Sequence, residues 1–230
     1  MSTIKFHPSS QQLREFAAGV MEPTLALMVS AHCDLCPRCQ HNLQQCMQEL
    51  ADEALYDTPS SSEEELALFV NMMKDIIETP QSPPVLNSSQ LSATASTLEL
   101  DGKSFVLPRS LGKFANKTRG WKKLVGKLWQ AQVDLGGDTR AEFIYMEKGG
   151  SVPEHTHRGN EWTLVINGEF EDGANHYETG DLILLDSEHT HTPVSNDPDG
   201  CLVFSIVDKP LHFTSGIARL LNPFSHLFFK

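Results

Sequence analysis

Near residue 79 the hydrophobic period of this 230-residue chain changes. Before that point apolar residues recur every three or four positions, the spacing of helices with one buried face. "SSQQLREFAAG" carries a serine cap, apolar Leu13, Phe16 and Ala17, and a terminating Gly19. Pro23 suits the first turn of a second helix, "PTLALMVSAH", and Pro37 that of a third, "PRCQHNLQQCMQELADEAL". Ser62 and Glu65 form a capping box for a fourth, "EEELALFVNMMKDII". Along it Leu66, Phe69, Val70, Met73, Ile76 and Ile77 make an apolar stripe, which must be covered by the chain's own core or by a partner. After residue 97 the apolar runs are short: "KLWQAQVDL", "AEFIYME", "EWTLVING", "LILLD" and "CLVFSIVD", punctuated by "NG", "DG" and "TGD". Regular short strands with turns between them predict an all-β sandwich or barrel. The expected class is therefore an α+β multidomain chain. A small bundle of about four helices spans residues 1–79 and an all-β domain spans 97–230. Residues 80–96 carry no charge and are rich in Ser, Pro and Thr, which predicts a semi-extended linker that imposes no fixed geometry.

Composition narrows the function. The net charge is −12, which argues against direct binding to nucleic acid or to an anionic membrane surface. Residues 1–80 hold twelve acidic and four basic side chains, a surface that complements a basic protein partner. The five cysteines, Cys33, Cys36, Cys39, Cys46 and Cys201, are odd in number and crowded, a poor disulfide framework. The N-terminal stretch has no apolar run, and no segment reaches the ~18 apolar residues of a membrane span. A cytoplasmic protein in a reducing compartment is expected, where thiols bind metal.

Two groups of residues have the chemistry of metal ligands. In "SAHCDLCPRCQ", His32, Cys36 and Cys39 read as H-x3-C-x2-C. Thiolates and imidazoles are the ligands Zn²⁺ prefers, and a closed structural site needs a fourth. Pro37 disfavours helical geometry at Cys36, so His32 should end the second helix, Cys36 sit in a turn and Cys39 start the third. Cys33, beside His32, should point elsewhere. His7, just before the first helix, is the preferred fourth ligand, with His41 and Cys46 as rivals. In the second half, Gly149, His155, His157, Glu161 and Gly168 read as G-x5-H-x-H-x3-E-x6-G, and His191 follows Gly180 by eleven residues. Histidines two apart on a strand leave the same face, so three imidazoles and one carboxylate can converge inside a small barrel on a divalent ion.

With these motifs on the page, the second half resembles a cupin. The first cupin motif matches at every fixed position. The second keeps Gly180 and the ligand position His191, but Asp186 and Glu188 stand where proline and glycine are usual, and the final asparagine is displaced to Asn196. The first half is similar to the zinc-binding anti-sigma domain, whose signature is H-x3-C-x2-C with an upstream histidine at the position of His7. In this order the two halves resemble the ChrR-type anti-sigma factors over essentially the whole chain. The resemblance implies a zinc ion on His7, His32, Cys36 and Cys39, and a divalent metal on His155, His157, Glu161 and His191, zinc foremost, with manganese, iron or nickel as alternatives. It also implies an extracytoplasmic-function-type sigma factor as partner, held by the helical domain and released when the cupin meets singlet oxygen or another oxidant. No catalytic residue is expected. The alternatives are a cupin metalloenzyme with dioxygenase- or isomerase-like chemistry, and a metal-dependent sensor with a different partner.

Overall fold

A computed structural model describes residues 4–56, 62–80, 96–136, 140–209, 211–214 and 216. Four helices form where the sequence places them. In α1 (Ser10–Ala17) the Ser9 hydroxyl accepts from the Gln12 N–H, and the Gln12 side chain closes the box onto the Ser9 N–H. The chain leaves this helix through Gly19 at φ +70°, a conformation other residues adopt only with strain. In α2 (Pro23–Leu35) the Glu22 carboxylate accepts from the N–H groups of Thr24 and Leu25. This helix runs three residues past His32 and stops where Cys36 turns extended, at φ −111° and ψ 100°, as a residue before proline must. Pro37 then opens α3 (Pro37–Tyr56), and the expected box of Ser62 and Glu65 opens α4 (Glu63–Glu78).

The second half is an antiparallel β-barrel. The five strands anticipated from the sequence are β4 (Leu128–Val133), β5 (Arg140–Met146), β8 (Glu161–Asn167), β11 (Leu182–Leu185) and β14 (Cys201–Val207). With β3 (Lys122–Leu124) they form one sheet in the order β11-β8-β14-β5-β4-β3. Apart from the one that carries His155, the remaining strands were not announced by the sequence, and none exceeds four residues. They are β1 (Thr97–Leu100), β2 (Lys103–Val106), β6 (Gly150–Ser151), β7 (His155–Thr156), β9 (Glu169–Glu171), β10 (His176–Glu178), β12 (Thr190–His191), β13 (Val194–Ser195) and β15 (His212–Phe213). Runs this short carry little periodic signal. Strands β10-β9-β13-β6 form a second sheet, β12-β7-β15 a third, and β1 and β2 a hairpin.

All seven residues of β14 are buried, because both faces of the large sheet are covered. Cys201 and Val203 look into the barrel with Val165 and Ile183. Leu202, Phe204 and Ile206 look outward, onto a layer made by Met28 and Ala31 of α2 and by Leu98 and Phe105 of the hairpin. A short helix, α5 (Arg109–Gly112), fastens α2 further: the Asp34 carboxylate accepts from the Ser110 N–H at 2.7 Å and its hydroxyl at 2.6 Å.

Packing thus divides the chain elsewhere than composition does. One compact unit joins residues 1–47 to 95–230, and a second holds residues 48–94. The second helix shares a core with the barrel, and the first packs on it in a smaller cluster of Leu13, Val29 and Cys33. The linker expected over 80–96 falls on residues 81–95, outside the described residues. None of the described side chains of α4 is buried, and Leu66, Phe69, Val70, Met73, Ile76 and Ile77 are each more than half exposed. No helix among the described residues is long and apolar enough to cross a membrane.

Candidate metal centres

Two groups of ligand atoms converge, and in each group every atom lies within 4.8 Å of the others: His7, His32, Cys36 and Cys39, and His155, His157, Glu161 and His191.

In the first, His7 Nδ1 lies 3.4 Å from His32 Nε2, 3.6 Å from Cys36 Sγ and 3.4 Å from Cys39 Sγ. A tetrahedral ion with Zn–N of ~2.0–2.1 Å and Zn–S of ~2.3 Å has donor–donor edges of roughly 3.3–3.8 Å. The observed separations therefore fit one zinc-sized ion. The fourth position, open between His7, His41 and Cys46 on sequence, is the one His7 takes in space. His41 is exposed, Cys46 is half-buried, and Cys33 lies with Leu13 and Val29 in the apolar cluster behind the site. His32 donates from Nδ1 to the Gly180 carbonyl at 2.8 Å, which leaves the Nε2 lone pair facing the cluster. Cys39 is pushed up to about 12 by burial and by the neighbouring Cys36 thiol. A cation among these atoms reverses that cost, because it favours the thiolate. The start of α3 helps, since the Cys39 N–H points at Cys36 Sγ from 3.5 Å.

The second group closes the barrel from inside. His191 Nε2 lies 3.0 Å from His155 Nε2 and 3.1 Å from His157 Nε2, and Glu161 Oε2 lies 3.1 Å from the His157 ring. The strand expected to carry both His155 and His157 is only two residues long, and His157 sits just past its end. Pairing of β12 with β7 sets His191 opposite His155, and Glu161 opens β8. His155 donates from Nδ1 to the Pro153 carbonyl at 2.8 Å, which again turns Nε2 inward. Burial pushes the His155 pKa down. Burial also raises the Glu161 carboxyl, but the three imidazoles and the Thr163 hydroxyl outweigh it and hold the group below the usual carboxylate range. Nitrogen lone pairs about 3 Å apart, with an ionised carboxylate beside them, fit a divalent cation.

The sequence did not single out the polar side chains around this centre. Thr163 donates to Glu161 Oε1 at 2.7 Å and Ser205 to the same oxygen at 3.2 Å. Farther in, Glu142 Oε2 accepts from Arg140 Nε at 2.8 Å and Gln130 Nε2 at 2.6 Å. Thr163, Ser205 and Glu142 border a cavity of about 60 Å³ walled by Ile144, Phe170, Tyr177 and Val203, enough for a few waters. The available signal was Glu142 itself, a charged residue at an inward position of the strand "AEFIYME".

A first prediction concerns acid. His32 and His191 are each pushed down to about 4, chiefly by burial, from an ordinary value of 6.5. Between those values the unfolded chain binds more protons than the folded one. The metal-free chain should therefore keep this stability above pH 6.5 and lose it progressively as pH falls toward 4. Denaturant midpoints of metal-stripped protein should be lower at about pH 5 than at about pH 7.5; equal midpoints would contradict the linkage.

Comparison with known proteins agrees with this organisation. A family profile described as the ChrR cupin-like domain matches residues 117–209. The chain is 30% identical to the anti-sigma-E factor ChrR of Cereibacter sphaeroides over 96% of its own length and 98% of that protein's. The crystal structure of Rhodobacter sphaeroides SigE in complex with the anti-sigma ChrR superposes with a TM-score of 0.62 at 24% identity, covering 90% of this chain and 100% of that one. That likeness supports the fold.

Proposed function

The chain belongs to the ChrR family of anti-sigma factors, and from that membership we propose that it sequesters a sigma factor of the extracytoplasmic-function type in the cytoplasm and releases it in response to an oxidant. The observation that carries this reading is α4. Six apolar side chains in one stripe are each more than half exposed, and three consecutive acidic residues, Glu63 to Glu65, open the helix. An apolar patch this continuous on a soluble chain marks a partner surface, and the acidic surround selects a basic partner. A sigma factor, which binds DNA, offers such basic surfaces. The working division is an anti-sigma domain over 1–79, a linker over 80–96 and a sensing cupin over 97–230.

Zinc on His7, His32, Cys36 and Cys39 is the proposed structural ion of the first part. A divalent ion on His155, His157, Glu161 and His191 is proposed for the cupin, zinc foremost, with manganese, iron or nickel able to use the same donors. When bound, that ion supplies a positive centre beside the cavity. The chain's own residues orient it: Pro153 fixes the His155 tautomer, and Thr163 and Ser205 hold Glu161. Oxidation or metal loss there would weaken a state that favours sigma binding. A bias of about 3 kcal/mol gives roughly a hundredfold release.

Metal analysis should find about two ions per chain. His155→Ala/Glu161→Ala should lower that to about one while leaving the thiolate-bound ion in place, and should repress without responding to oxidant. An unchanged metal count would contradict the second site. Co-expression with the candidate sigma factors of the same organism tests the reading as a whole: one should co-purify in equal amount, and failure of all of them to bind would refute it.

A further inference from the structure

Residues 180–182 of the barrel reach the first metal centre by three separate routes. The Gly180 carbonyl is the ring partner of His32, at 2.8 Å. Asp181, fully buried, accepts with Oδ1 from the backbone N–H groups of Lys5 at 2.7 Å and Phe6 at 3.0 Å, the two residues before His7. Its Oδ2 accepts from the Glu178 N–H at 2.8 Å. The Leu182 N–H then donates to the Phe6 carbonyl at 3.0 Å, so residues 5–6 lie beside the start of β11. Phe6 packs its ring on Tyr177 at 4.8 Å. Gly180, at φ +96°, permits this approach, because a Cβ there would collide with the Ile4 side chain. A carboxylate that accepts three backbone N–H groups in a buried setting makes strong, directional bonds.

We propose that the Gly180–Asp181 turn is a positioning element of the N-terminal zinc centre: the barrel sets the tautomer of His32 and the placement of His7, and so governs how tightly the thiolate site keeps its ion. This rests on the reading that His7, His32, Cys36 and Cys39 hold zinc. A partner bonded directly to a ligand, as the Gly180 carbonyl is to His32, is typically worth about 10–100-fold in affinity when lost, and Asp181, one residue farther from His7, falls at the low end. The two imidazoles are the ligands concerned. The thiolates come from the α2–α3 turn and need no barrel residue.

The test uses the full zinc-loaded chain and two variants that break the same link from opposite sides. Asp181→Asn removes the charge and sets an amide NH₂ against a backbone N–H. Lys5→Pro deletes the backbone donor to Asp181, together with the exposed Lys5–Glu178 ion pair, and leaves the barrel sequence intact. Transfer of zinc from the thiolate site to a chromogenic chelator should be about tenfold faster in each. With Co²⁺ in place of zinc, the thiolate charge-transfer and d–d bands should change shape, which a merely destabilised barrel would not cause. Near-UV circular dichroism checks that the barrel is folded, and if one variant does not fold the other decides. Variants that are folded, release zinc at the parental rate and keep the parental cobalt spectrum overturn the proposal alone. A parental chain with no thiolate-to-cobalt band overturns the zinc reading itself, and the proposal with it.

Discussion

Replacing Cys36 and Cys39 together by alanine is expected to remove one of the two proposed metal ions and abolish sigma-factor inhibition. Both thiols are 2% exposed, in a small cluster with Leu13, Val29 and Cys33. So small a core cannot order α1 and the start of α3 alone. A structural zinc contributes an apparent ~10–16 kcal/mol in small zinc domains, comparable to the whole stability of a typical domain. The helix α2 should survive better, since Met28 and Ala31 are fixed in the core over the large sheet. Far-UV circular dichroism should therefore show a partial loss of helix, and metal analysis about one ion per chain. Retention of two ions, or of full inhibition, would show that these cysteines are ordinary buried residues.

Phe69→Asp/Ile76→Asp should abolish sigma binding by a different route and leave the fold untouched. The two residues are seven apart, on one face of α4, and are 54% and 58% exposed. Apolar anchors at an interface cost about 2 kcal/mol or more when truncated, so the pair should weaken binding about a thousandfold. Exposed substitutions usually change stability by only ~0.5 kcal/mol, so the melting temperature should hardly move. Calorimetric titration against the sigma factor, beside a thermal melt, separates the two effects. Unchanged affinity would assign the stripe to some other role.

Much of this architecture was legible in the sequence because the signals were local. The serine cap of the first helix, the Ser62–Glu65 box, and Pro23 and Pro37 fix helix starts through atoms three or fewer residues apart. Five strands of the large sheet announced themselves because their apolar runs stand between turn residues. The ligand spacings are local in the same way: H-x3-C-x2-C and H-x-H-x3-E keep their donors within seven or eight consecutive residues. What stayed hidden depends on distant pairing. Met28 packing on the sheet, Asp34 on Ser110, and Asp181 on Lys5 and Phe6 join residues tens to more than a hundred positions apart. A single sequence carries no record of such partners. The uncharged stretch before the barrel suggested two independent halves, yet the side chains of α2 had already committed it to the barrel.

The most direct measurement is transcription in vitro from a promoter that depends on the co-purifying sigma factor. Adding the zinc-loaded chain in equal amount should abolish the transcript, and adding the Phe69→Asp/Ile76→Asp variant should leave it unaffected. A transcript that persists at about a tenfold excess of the parental chain would contradict sequestration of that sigma factor.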